Sequence, residues 1–170
     1  SVNRWRDTKF GITLGKREGR ITADDGSIFT YAGDHSALID ENNAGQALVI
    51  ALANAEEYDG VTTMWPNGAA TAVCTKSTLA YPHDARGVIQ HEAGGHGFGK
   101  LGDEYIYHNA FIQTCKCSDG CQHVPGLLSN KAMGWFRNLS LDGRYSNHEW
   151  RQLMFHPNYS DYVDLYEGGY

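Results

Sequence analysis

Two histidines and a glutamate lie within six consecutive residues in the segment HEAGGHGFGKLGDEY, which runs from His91 to Tyr105. His91 and Glu92 are adjacent, and His96 follows four residues after Glu92. Neutral imidazole nitrogens suit zinc, and a catalytic zinc site uses three protein ligands with a fourth position left for water. A neighbouring glutamate can accept the proton that this water loses. These residue types therefore predict a catalytic zinc site that hydrolyses peptide bonds, with Glu92 as the general base.

The spacing H-E-x-x-x-H is one residue longer than the H-E-x-x-H of common zinc peptidases. On a regular α-helix, residues i and i+4 lie about 40° apart around the axis, whereas residues i and i+5 lie about 140° apart and cannot share one ion. A π-bulge absorbs one residue, and Gly94 and Gly95 relax the backbone at the least steric cost. We therefore expect a π-bulge between the histidines. The alternative is a helix with two unrelated histidines and a solvated Glu92, but two glycines inside a helix cost about 1 kcal/mol each and call for a reason.

The residues after His96 offer a third ligand. Gly99 lies three residues further on, where the metzincin pattern H-E-x-x-H-x-x-G-x-x-H ends its helix on glycine and turns the chain back toward the metal. The third histidine of that pattern corresponds to Gly102, which has no side chain, so that Asp103 is the first available ligand. Glu104 competes for this role. If Asp103 binds the metal, we expect Glu104 to hydrogen-bond one of the ligands.

These residues resemble the IgA peptidase family of bacterial zinc metallopeptidases, metzincin-like enzymes in which Asp-Glu-Tyr follows the histidines. The resemblance runs from about Ala47, through Asn54 and the segment EYDG at 57–60, to the segment YEGG at 166–169. The stretch GVIQHEAGGH at 87–96 is similar to the Bacteroides-type variant of the family, which has the longer spacing. The resemblance implies a zinc endopeptidase with His91, His96 and Asp103 as ligands and Glu92 as catalytic base. It does not imply that immunoglobulin is the substrate, because specificity depends on the surroundings of a site.

A second zinc arrangement keeps the same two histidines. The dipeptidyl peptidase III family has H-E-x-x-G-H, which Gly95 and His96 satisfy. Its third ligand is a glutamate on a separate helix, and Glu149 is the candidate for that role here. Those enzymes are much larger, however, and this arrangement leaves Gly99 and Asp103 without a purpose.

The cysteines allow a different class of function. Cys115, Cys117 and Cys121 lie close to His123 in the sequence, and Cys74 is distant. The cluster predicts loop disulfides or free thiols, and the even number of cysteines favours an oxidising compartment. The alternative is a non-catalytic binding module with a structural zinc in the cluster, although C-x-C-x-x-x-C-x-H lacks the paired C-x-x-C of common zinc modules.

The elements that would hold the zinc motif follow from local patterns. Residues 47–53 form a continuous apolar run, typical of a strand buried on both faces. Residues 61–65 and 70–75 flank the turn Pro66-Asn67-Gly68 and predict a hairpin. Asp84 is the expected N-cap of a helix at 85–98. Short β-like pieces are expected at 21–23 and 28–31, although the role of the first 45 residues is open, and short helices are expected at 127–135 and 148–154.

These elements predict an α+β fold, a metzincin-like domain with a small twisted mixed sheet, an active-site helix above it and an irregular lower part. A peptide substrate is expected to lie extended along a sheet edge, and the strand at 70–75 is the candidate edge. His108 and Tyr105 are candidates for stabilising the oxyanion, with a packing role favoured for Tyr105.

Composition and charge narrow the classes of partner. The chain has 170 residues, of which 41% are hydrophobic and 20% charged, as expected of one globular domain. A formal net charge of -6 without a Lys/Arg stripe argues against a nucleic-acid partner. No run of about 18 apolar residues predicts a membrane span. The expected partner is a peptide or protein substrate, and the expected location is secreted, periplasmic or on the bacterial cell surface.

The sequence is expected to be part of a longer protein, because it opens at Ser1 without an initiator methionine. Metzincin-like enzymes also place a methionine in a tight turn beneath the metal, and in the family that this chain resembles the turn follows the YEGG segment. Met133 and Met154 could substitute, but both lie in amphipathic, helix-like segments and are expected in the core. We therefore expect residues after Tyr170 to complete the floor of the site.

Overall fold

A computed structural model of the chain describes residues 9–14, 21–39, 44–103, 123–140 and 148–163. The chain divides into two compact units, Ser1–Gly99 and Lys100–Tyr170. The described residues have a mixed α+β architecture with a small three-stranded mixed sheet and a few helices. The α+β class is therefore confirmed, whereas the assignment of the whole chain to one catalytic domain stays a prediction.

The sheet has the strand order β1-β3-β2, with β1 at Leu48–Ala53, β2 at Gly60–Met64 and β3 at Ala70–Thr75. Strands β2 and β3 form the predicted antiparallel hairpin, and its turn closes with Trp65 N–H donating to Ala69 C=O at 2.9 Å. Strand β1 pairs with β3 in parallel. The prediction that 70–75 is a sheet edge is wrong. Strand β3 is central and buried along its whole length, because its small side chains allow close packing on both faces.

The prediction that strand β1 is buried on both faces is also wrong. Ile50 and Leu52 are 45% and 65% exposed. Among the described residues, β1 has a strand neighbour on one side only. The continuous apolar run therefore does not indicate whether this strand is central or at an edge of the sheet.

Each face of the sheet has its own small core. On one face Val73 packs with Ile12, Ile21, Ile28 and Ala53. On the other face Ala72 and Cys74 pack with Val88 and Ala93. Alternate residues of β3 point to opposite faces, so that this one strand contributes to both cores.

Helix α1, Asp25–His35, covers the first face and replaces the β-like piece expected at 28–31. The Asp24 carboxylate caps the helix by accepting hydrogen bonds from the N–H of Ser27 at 3.0 Å and from its hydroxyl at 2.7 Å. This cap outweighs the local β preference of Ile28 and Phe29. The piece expected at 21–23 has a single bridge, between Thr13 and Thr22.

The predicted helix at 85–98 is confirmed as two consecutive segments. Helix α2, Ala85–Ile89, is capped by Asp84, which accepts a hydrogen bond from Gly87 N–H at 2.9 Å. It continues without interruption as a π-helix, Gln90–Phe98. A Cβ atom at Gly87 would overlap the main-chain carbonyl of Pro82, so that only glycine fits there.

The second unit contains helix α3, His123–Ala132, and the short helix α4, Arg151–Met154. They confirm the helices expected near 127–135 and 148–154, with shifted ends. Met133 follows α3 and is 41% exposed, so that its expected core position is wrong. No helix in the part of the chain covered by the structure is long and apolar enough to cross a membrane.

Candidate metal centre

The π-helix brings His91 and His96 together. Its main-chain hydrogen bonds run from residue i+5 to residue i, as Gly99 N–H to Gly94 C=O does at 2.9 Å. This pattern places residues five apart on the same face. The Nε2 atoms of the two histidines are 3.2 Å apart, and their rings meet edge to face at 84°. The predicted π-bulge is therefore confirmed. It brings together two side chains five positions apart, which a regular α-helix would direct to different faces.

Asp103 joins the two histidines. One ligand atom from each of His91, His96 and Asp103 lies within 4.8 Å of the others. In a tetrahedral zinc site with Zn–N bonds of about 2.0–2.1 Å, two nitrogen ligands are about 3.3 Å apart, close to the spacing of the two Nε2 atoms. Two imidazoles and one carboxylate also form a donor set that zinc accepts with one position left open. The spacing of the two nitrogens and the chemistry of the three side chains thus fit a zinc ion.

An asparagine holds the segment that carries Asp103. The side-chain amide of Asn138 accepts a hydrogen bond from Gly102 N–H at 2.9 Å and donates one to Gly102 C=O at 2.8 Å. Phe136 N–H also donates to Lys100 C=O at 2.7 Å. A Cβ atom at Gly102 would lie 2.5 Å from a methyl carbon of Leu139, so that glycine permits this approach. Asn138 was not predicted from the sequence, because its contact with Gly102 spans 36 residues and no local pattern marks it.

Glu92 is buried against strand β2 and is only 8% exposed. Its Oε2 atom accepts a hydrogen bond from the Thr62 hydroxyl at 2.8 Å, and its main-chain oxygen lies 2.9 Å from the same hydroxyl. A Cβ atom at Gly60 would lie 2.6 Å from Glu92 Cγ. Thr62 and Gly60 therefore form a cradle for the glutamate side chain, and the expectation of a solvated Glu92 in the non-metal alternative is wrong. Neither Thr62 nor Gly60 was predicted to have a role in the site.

Cys74 lies on the same face of the sheet, paired in register with Gly60. Burial raises the pKa of its thiol to about 12, and the nearby charge of Glu92 adds to the effect. Cys74 is a free thiol, so that it forms none of the disulfides considered for the four cysteines.

The alternative ligand Glu149 is engaged elsewhere. Its Oε1 atom lies 3.1 Å from Lys131 Nζ, and its Oε2 atom lies 3.3 Å from Arg137 Nε. Within the described ranges, the set of His, Cys, Asp and Glu residues that could hold a metal is His91, His96 and Asp103. This geometry favours Asp103 over Glu149 as third ligand.

Several predicted site residues lie outside the described residues. They are Glu104, Tyr105, His108, Cys115, Cys117, Cys121, the side chain of His123, and the segment at 166–169.

Comparisons of the chain with protein-family models, with curated protein sequences and with solved structures find no significant match. The inference of function therefore depends on the chemistry of the residues that the fold brings together.

Proposed function

We propose that this chain is a zinc-dependent endopeptidase with a metzincin-like catalytic domain. One observation carries the proposal: ligand atoms of His91, His96 and Asp103 converge within 4.8 Å, and the buried Glu92 follows His91 in the π-helix. Buried carboxylates are uncommon unless they are paired or functional. The π-helix above a small mixed sheet also agrees with the active-site helix that the sequence resemblance implies.

The protein residues divide the work of hydrolysis. When bound by His91, His96 and Asp103, a zinc ion supplies Lewis acidity, which lowers the pKa of a water ligand and polarises a peptide carbonyl. Glu92 accepts the proton of the attacking water and then delivers it to the nitrogen of the leaving amine. This proton transfer requires the Glu92 carboxylate to stay in one orientation, which the contact with Thr62 provides.

The substrate is proposed to bind along strand β2, because β3 is central. Trp65 N–H donates to Ala69 C=O, and Thr75 N–H donates to Asp59 C=O. The odd-numbered residues along β2 therefore direct their main-chain N–H and C=O groups toward β3. In an antiparallel pair the alternate residues, here the even-numbered ones, direct their main-chain N–H and C=O groups away from the partner strand. Thr62 and Met64 therefore present main-chain groups at an edge with no neighbouring strand among the described residues. An extended peptide can add to such an edge through main-chain hydrogen bonds.

Metal analysis combined with a peptide-library assay tests the proposal. The purified chain is expected to bind one zinc ion and to cleave internal peptide bonds, and chelation is expected to remove the activity. The variant Glu92→Gln removes the proposed base and is also expected to lose the activity. Glu57→Gln is its matched control, because Glu57 is an exposed glutamate with no proposed role. A chain that binds zinc through His91 and His96 but cleaves no member of the library would overturn the proposal.

A further inference from the structure

We propose that Thr62 is a positioning residue, which fixes the Glu92 carboxylate from the strand along which the substrate binds. The inference rests on the proposed function and extends it to a residue outside the metal motif. Its basis is the hydrogen bond of 2.8 Å from the Thr62 hydroxyl to Glu92 Oε2, which joins residues 30 positions apart.

The Thr62 hydroxyl has one proton and two acceptors within reach. The carboxylate oxygen of Glu92 is at 2.8 Å, and the main-chain oxygen of the same residue is at 2.9 Å. A charged acceptor makes the stronger bond, so that the proton points to the carboxylate. Threonine suits this role because a β-branched side chain has few rotamers and holds its hydroxyl in a fixed direction.

Gly60 restricts the glutamate from a second side. The position that a Cβ atom would take at Gly60 is 2.6 Å from Glu92 Cγ and 2.9 Å from Glu92 Oε1. The glutamate side chain therefore occupies the space that the glycine leaves open. Thr62 and Gly60 lie two positions apart on one face of β2, and together they limit the rotation of the carboxylate.

Thr62 has a second role through its main chain. Its N–H and C=O groups point to the edge of β2 that has no strand beside it in the described part of the chain, where the substrate would bind, while its side chain points to Glu92 on the helix. One residue thus contacts both the general base and the proposed substrate strand. The side chain and main chain of Thr62 would then together fix the distance between the base and the substrate. Catalysis requires such fixed positions of the reacting groups.

Thr63 provides a matched control on the next position of the same strand. Its hydroxyl donates to Asp25 Oδ2 at 2.7 Å on the opposite face of the sheet. Thr62→Val and Thr63→Val therefore each remove one threonine hydroxyl that donates to a carboxylate. Only Thr62→Val removes a contact of Glu92.

The kinetic test compares Thr62→Val, Thr62→Ser and Thr63→Val in the zinc-loaded chain. Thr62→Val is expected to keep zinc affinity and KM and to lower kcat by about 10-fold to 100-fold, the cost of a lost hydrogen bond to a charged group. Thr62→Ser is expected to restore most of kcat because it keeps the hydroxyl, and Thr63→Val is expected to keep the parent kcat. Equal kcat in Thr62→Val and the parent, or an equal loss in Thr63→Val, would overturn the inference.

A double-mutant cycle in the zinc-free chain tests the contact without activity. Thr62→Val and Glu92→Leu are expected to have non-additive effects on the free energy of unfolding, because each removes the same hydrogen bond. Additive effects would show that Thr62 does not hold Glu92 and would overturn the inference. A parent chain that cleaves no peptide overturns the proposed function instead, and with it any catalytic role of Thr62, while the cycle still decides the contact itself.

Discussion

His91 and His96 are five positions apart in the sequence, yet their Nε2 atoms are 3.2 Å apart in the structure. The π-helix Gln90–Phe98 alone accounts for this proximity, since a regular α-helix would direct the two rings about 140° apart. The backbone therefore places two imidazole nitrogens at a spacing that would suit a tetrahedral metal site.

Glu92→Gln is expected to retain zinc and to lose peptidase activity. Glutamine keeps the shape of the side chain and can still accept the hydrogen bond from Thr62, but it cannot accept the proton of the attacking water. We expect kcat to fall by at least about 100-fold, measured on a library peptide together with the zinc content. A variant that cleaves at the parent rate would exclude Glu92 as the base.

Asp103→Ala is expected to weaken zinc binding strongly, because it removes a proposed ligand. The loss is expected to exceed the factor of about 10–100 that results when a residue that only supports a ligand is removed. Glu149→Ala is expected to leave zinc affinity unchanged, because its carboxylate contacts Lys131 and Arg137. Competition with a chelator measures both affinities. Loss of zinc in the Glu149 variant alone would indicate the dipeptidyl peptidase III type of site.

Asn138→Ala is expected to lower zinc affinity by about 10-fold to 100-fold, although Asn138 is not itself a ligand. The substitution removes both hydrogen bonds that hold Gly102, the neighbour of Asp103. Asn158→Ala is the control, since Asn158 is an exposed asparagine. If both variants bind zinc like the parent, the amide of Asn138 has no role in holding the ligand.

Gly87→Ala is expected to destabilise the chain, whereas Gly94→Ala is expected to be tolerated. A Cβ atom at Gly87 overlaps the Pro82 carbonyl, and overpacking of this kind costs about 1–3 kcal/mol. A Cβ atom at Gly94 meets nothing within 4 Å. Alanine also has a higher helix propensity than glycine, by about 1 kcal/mol. Thermal unfolding of the two variants measures the contrast, and equal melting temperatures would contradict it.

Cys74 is expected to make the stability of the chain fall as the pH rises above 9. The folded thiol has a pKa of about 12, above its ordinary value of 9.0. The unfolded thiol therefore loses its proton first, which favours unfolding between these two pH values. The stabilisation is complete below pH 9 and disappears as the pH approaches 12. Because other groups titrate in this range, the parent is compared with Cys74→Ala, whose stability is expected to depend less steeply on pH.

The sequence was sufficient for features that depend on neighbouring residues. Asp84 marked the start of the helix that carries His91 and His96, the segment Pro66-Asn67-Gly68 marked the hairpin, and the histidine spacing together with Gly94 and Gly95 predicted a π-bulge. All three features are present. Each has a local physical cause, in a capping carboxylate, a turn or a change in helical period.

Features that depend on distant contacts were not predicted. The central position of β3 follows from its pairing with both β1 and β2, and the apolar run of β1 contains no information on which strands lie beside it. Helix α1 was partly mistaken for a strand because Ile28 and Phe29 have a β preference. Thr62 and Asn138 contact the site across 30 and 36 residues, so that only the folded chain identifies them.

The glycine beneath Glu92 also opposes a shift in the alignment of the hairpin. A shift of β2 by one residue would exchange its two faces, and Thr62 and Thr63 are chemically identical, so that the hydroxyl pattern alone would hardly oppose it. Such a shift would place Asp59 or Val61 where Gly60 lies, and either Cβ atom would collide with Glu92. The turn Pro66-Asn67-Gly68 fixes the alignment locally, and the packing of Glu92 on Gly60 adds a second constraint once the helix lies on the sheet. The register of the hairpin and the packing of the helix are therefore coupled through the contact of Glu92 with Gly60.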